Sequence, residues 1–217
     1  MKSFKNLLSK IKPFLMITFL LSLFIFISAI SYVDAVSEDI ASSVFRLHVI
    51  ANSDSKEDQE LKLKVRDELL SYMNTISKDC TSKEEVIKLA QEHQGEFKHI
   101  AEEVIQKNGF DYSVQIEIGT SDFPTKTYGD ISFPAGSYDA LKVQIGEAKG
   151  QNWWCVMFPP LCFVDVSSGI VPNESKEEMK ENLNEEEYDL ISETDSSEIT
   201  FKFKLVEFFQ NLRLGLK

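Results

Sequence analysis

Histidine and cysteine are both scarce in this 217-residue chain, three of each, and their arrangement excludes the commonest site chemistries. His48, His93 and His99 stand at no metal-ligand spacing with the cysteines. No HExxH, paired CxxC, phosphate-binding loop or nucleophile elbow occurs. No metal, no cofactor and no small-molecule substrate are therefore expected. Positive charge is also short: 23 Lys and Arg stand against 35 Asp and Glu, a formal charge of −12. Setting aside the four lysines that precede the first acidic residue takes it to −16. Phosphate binding needs clustered Lys and Arg, so no nucleic acid is expected as a partner, and the acidic body is unsuited to a lipid surface.

One stretch lacks charge altogether. Lys2, Lys5, Lys10 and Lys12 precede an uncharged run from Pro13 to Val33, dominated by Phe, Leu and Ile. As a helix it would extend about 30 Å, the thickness of a bilayer core. Basic residues before it and Asp34, Glu38 and Asp39 after it predict an inside N-terminus and an exported remainder. Residues 1–35 read as a signal peptide, cut near Ala29-Ile30-Ser31, or as a retained signal-anchor transmembrane helix, with residues 13–33 in the membrane.

The remainder reads as an α+β domain over residues 40–171. Phe45, Leu47, Val49 and Ala51 alternate with Arg46, His48 and Ile50, the pattern of a half-buried strand with Arg46 and His48 on its outer face. Asn52-Ser53-Asp54-Ser55 is suited to starting a helix, on which Leu61, Val65, Leu69 and Met73 recur every four residues. A second helix is predicted from Ser82, with Glu85 completing a capping box, to Asn108-Gly109. Tyr112, Val114, Ile116 and Ile118, and then Leu141, Val143 and Ile145, alternate as strands with one polar face. The expected architecture is an antiparallel sheet with two amphipathic helices on one face, preceded by one N-terminal membrane helix.

From Pro172 to Thr200 eleven acidic residues face only Lys176 and Lys180, which predicts an acidic linker without fixed structure. In the tail, residues 201–217, Phe201, Leu205, Phe208, Phe209 and Leu212 share one helical face and predict an amphipathic helix.

The most informative text is Tyr128 to Asp165, rich in aromatics, glycine, proline and cysteine but poor in catalytic side chains. Trp153 to Phe158 is apolar on both strand faces, so one tryptophan is expected in the core and the other on the far face as an interface anchor. Cys155 and Cys162 flank Pro159-Pro160 and read as a disulfide or as a pair of buried thiols. A Cys155 nucleophile served by His48 would make an envelope hydrolase, the alternative to a binding protein.

Asn152-Trp153-Trp154-Cys155, Phe158-Pro159-Pro160-Leu161-Cys162, FRLHVIANSDS (Phe45 to Ser55) and DQELKLKVRD (Asp58 to Asp67) resemble the stage II sporulation protein R family of endospore formers. The resemblance implies a non-enzymatic signalling protein, made in the forespore and exported to the space between two membranes. It implies a partner too, the membrane-embedded aspartic protease of the mother cell that processes the pro-form of sigma factor E. Trp153, Trp154, Arg46, His48 and Asp130 are the residues expected to meet it, Asp130 through the loop text Tyr128-Gly129-Asp130.

Overall fold

The computed structural model describes residues 2–162, 171 and 173–192. The chain opens with α1 (Lys2–Ser43) and β1 (Phe45–Ile50), followed by a helical layer of α2 (Lys56–Ile76), α3 (Lys83–Glu92) and α4 (Gln94–Lys107). Strands β2 (Val114–Phe123), β3 (Lys126–Tyr128), β4 (Ile131–Phe133), β5 (Gly136–Ile145) and β6 (Asn152–Phe158) come next, then α5 (Asn173–Asn182) and α6 (Glu185–Ser192). The main sheet has the order β2-β5-β1-β6, and β3-β4 form a small sheet of their own.

The fold is α+β, but the sheet is mixed where an antiparallel one was expected. β1 runs parallel to β5 and antiparallel to β6, while β2 and β5 are antiparallel. The three helices between β1 and β2 supply the crossover that a parallel neighbour needs. Local caps fit the sequence reading: Ser55 accepts from the Asp58 amide at the start of α2, and Ser82 from the Glu85 amide at the start of α3. The second expected helix is broken in two at His93, whose ring lies 2.6 Å from the Tyr72 hydroxyl. Val86 and Ala90 before the break, and Phe97, Ala101 and Ile105 after it, still share one core with Leu61, Val65 and Leu69.

Three further expectations are corrected. β1 is buried along its whole length, so Arg46 and His48 do not lie on an outer face; the strand is central, and the face opposite the helices is covered as well. The acidic segment is helical over α5 and α6, because Met179, Leu183, Tyr188 and Ile191 give it an apolar stripe that is buried. The membrane span is not met in the form expected: among the described residues no helix is long and apolar enough to cross a membrane. The exposed apolar side chains described on α1 run from Phe14 to Ile27, about 20 Å of helix against a hydrocarbon core of about 30 Å. At its other end α1 enters the core through Ile40, and Val44 just after it is buried too. The expected tail helix over residues 201–217 lies outside the described residues.

Candidate functional site

Two constellations account for most of the family-like text. The first is a clasp built from Asn52 to Lys62. Asp58 accepts from Asn52 Nδ2 at 2.8 Å and Ser53 Oγ at 2.5 Å, while Asn52 Oδ1 accepts the Glu147 amide and Asp54 Oδ1 the Gln151 amide. Lys62 Nζ donates to the Gln151 carbonyl, and the Lys149 and Gly150 amides donate to the Asn52 and Ala51 carbonyls. The loop after β1 is thereby fastened to the β5–β6 connection. Gly150 lies so close that a β-carbon would collide with the Ser53 carbonyl oxygen, so only glycine closes the clasp. This text orders the start of α2 and the β5–β6 turn.

The second constellation lies on the opposite sheet face. Arg46 is fully buried, its guanidinium carbon 4.1 Å from the Phe123 ring centroid, 4.6 Å from Tyr138 and 5.6 Å from Phe133. Its Nη2 donates to the Tyr128 hydroxyl at 2.9 Å, and that hydroxyl donates to the Trp154 carbonyl at 2.9 Å. His48 stacks on Trp154 at 5.6 Å with Nε2 2.8 Å from Asn152 Oδ1, and Lys126 Nζ sits 4.4 Å over the Trp154 ring. Burial lowers the His48 pKa despite the Asn152 contact, and burial followed by repulsion from Arg46 lowers that of Lys126. Burial also drives the Tyr128 and Tyr138 hydroxyls upward, so both stay protonated.

The two tryptophans do lie on opposite faces, yet neither is a core residue. Both are half-buried on edge strand β6: Trp153 beneath Arg66 of α2 at 4.2 Å, and Trp154 between His48 and Lys126. An edge strand has one neighbour only, so its large side chains keep an exposed flank. Cys155 and Cys162 are bonded to each other, and Cys80 is a free thiol. Cys155 pairs with Leu47 in the ladder while His48 pairs with Trp154; successive side chains alternate faces, so a Cys155–His48 dyad does not form. Among the described residues no three His, Cys, Asp or Glu side chains are placed to hold a metal.

Asp130 already has partners within the chain. It sits in the β3–β4 turn, accepts from the Val171 amide at 3.1 Å and pairs with Lys176 of α5 at 2.5 Å. Burial opposes its charge, but Lys176 and the Val171 amide outweigh it and hold the carboxyl below the ordinary 3.8. A depressed folded pKa means that the latch stabilises fully above the ordinary value and fails as pH falls through the folded one. Thermal melts of wild type and Asp130→Asn should therefore differ at about pH 6 and converge as the pH falls below about 4. A difference constant across that range would show that the Asp130 charge contributes nothing.

Sequence reading did not single out Lys126, Phe123, Phe133 and Tyr138, and named Tyr128 only as loop text. The four aromatics recur at intervals of five, at Phe123, Tyr128, Phe133 and Tyr138, which fits neither helix nor strand and becomes a box only when the hairpin folds over β1.

The edge strand thus presents a surface of half-buried aromatics, Trp153 and Trp154, each with a cation over its ring. Comparison with known proteins gives that surface a family. The stage II sporulation protein R family matches residues 41–168, and the chain belongs to it. The stage II sporulation protein R of Bacillus subtilis (strain 168) is 36% identical over 185 residues, 80% of this chain and 83% of the relative. Membership gives the chain a role in sporulation, in a family of signalling proteins not known as enzymes. No solved structure matches.

Proposed function

We propose that the protein is an exported sporulation signal that activates the membrane aspartic protease processing the pro-form of sigma factor E in the mother cell. In this reading it leaves the forespore for the intermembrane space, with the apolar stretch of residues 13–33 in the membrane it leaves. Two facts support the reading: the family match over the folded domain, and the exposed flank of Trp154, an aromatic anchor with Lys126 above it. The exposed Phe14–Ile27 stretch of α1 supports the membrane contact, since so large an apolar surface is unstable in water. Trp154 is the anchor that meets the protease, and Trp153, covered by Arg66, contributes less.

The test is cleavage of the sigma precursor by the reconstituted protease with and without this protein. Wild type should stimulate cleavage. Trp154→Ala should lower stimulation by roughly tenfold or more, as loss of an interface anchor does, while the melt shifts only slightly. Full stimulation by Trp154→Ala would remove this face from the contact. No stimulation by wild type would end the activation reading itself.

A further inference from the structure

Arg46 is the anomaly of this molecule. A guanidinium that is 0% exposed normally meets a carboxylate, yet among the described residues none pairs with it. Among the described residues its Nε and Nη1 have no acceptor, and its Nη2 donates to the neutral Tyr128 hydroxyl. The unpaired donors do not end there. On the same sheet face the Trp154 indole N–H is buried without an acceptor among the described residues. Lys126 adds a second cation above Trp154. Among the described residues, cations and idle donors thus gather on one face without an anion beside them. What is missing is an acceptor of negative charge.

We infer that Arg46, Lys126 and the Trp154 indole N–H form a receptor for a carboxylate carried on an extended acidic segment of a partner protein, entered beneath the β3–β4 hairpin. Charge complementarity selects the ligand: the planar guanidinium fork fits a carboxylate through two parallel bonds, and Tyr128 Oη occupies one of its positions in the closed form. β3 and β4 are three residues each and belong to a separate sheet, so admitting the ligand breaks the hairpin's contacts with Tyr128, α5 and α6 but no strand pairing of the main sheet. Its grip on the main sheet includes Tyr128, whose hydroxyl is the group the carboxylate would displace. The inference rests on reading the Trp154 face as the partner surface, but its readout is peptide binding without any protease. Failure to bind therefore leaves protease activation intact, and failure of activation leaves peptide binding intact.

The experiment titrates the full chain in detergent with capped tetraglutamate and reads tryptophan fluorescence, with capped tetraglutamine and sodium acetate as controls. Tetraglutamate should bind saturably, and tetraglutamine roughly tenfold or more weakly, as loss of a charge-assisted pair implies. Arg46→Met, of similar volume, should melt at or above the wild-type temperature, since it removes an uncompensated buried charge, and should lose tetraglutamate binding. Lys126→Gln, at a partly exposed position, should weaken binding several-fold at unchanged melt. Equal binding of tetraglutamine, no binding at all, or a lowered Arg46→Met melt with binding retained would each overturn the receptor. Acetate binding as tightly as the peptide would overturn the partner segment in favour of a small-anion pocket.

Discussion

Asp58→Ala should cost the domain about 3 kcal/mol, the range for removing a buried, hydrogen-bonded charge whose donors are left behind. Asp58 is 4% exposed and holds Asn52 and Ser53, so its loss strands two donors. It also removes a negative charge from the first turn of α2, where the helix dipole favours one. A fall in melting temperature of about 10 °C is expected for a chain of this size. Burial opposes the Asp58 charge, but Ser53 and Asn52 outweigh it and hold its carboxyl below the ordinary range. The contribution is thus present at neutral pH and lost on strong acidification. Asp58→Asn, which keeps the shape, should cost less. A melt unchanged in Asp58→Ala would show that the clasp closes without its central acceptor.

The second large effect is expected in the acidic helices. Met179 and Ile191 are fully buried, Leu183 is 4% exposed and Tyr188 9%. α6 packs on β4 and α1, and Asp130 ties α5 to the hairpin. Met179→Ala and Ile191→Ala should each cost about 2–4 kcal/mol. Replacing residues 173–192 by a Gly-Ser linker should lower the melt further and expose surface that binds an apolar dye. A replacement that melts like wild type without dye binding would show that these helices rest on the fold without contributing to it. Exposed Glu174, by contrast, can be neutralised at little cost.

What was legible in the sequence is what depends on near neighbours. The Ser55 and Ser82 caps, the four-residue spacing of Leu61, Val65 and Leu69, and the alternation in β2 and β5 are local features, and each stands where the pattern put it. Properties set by distant partners were not legible. Arg46 and His48 carry polar names in an alternating strand, and period alone assigns them to water. Their burial depends on Phe123, Phe133, Tyr138 and Trp154, contributed from 75 to 110 positions or so downstream through cation–π contact and stacking. Charge misled in the acidic segment for a related reason. Mean composition hides four apolar side chains spaced to share a stripe, and only the surface they meet offsets the entropy of ordering them. The sense of the β1–β5 pairing likewise has no local signal, because neither strand records which neighbour it will find.

The helix that carries the exposed Phe14–Ile27 surface is the same helix whose last turns are fixed in the domain. Ile40 is fully buried, and the Lys83 ammonium, which donates to the Ala41 carbonyl and pairs with Asp139, pins that end to α3 and β5. From Ile27 to Ile40 the helix rises about 20 Å. It acts as a mast where a flexible tether would let the body wander. In the proposed reading, whatever receives the apolar stretch would also set the height and heading of the domain, so that a partner in an opposing layer would meet one side of it.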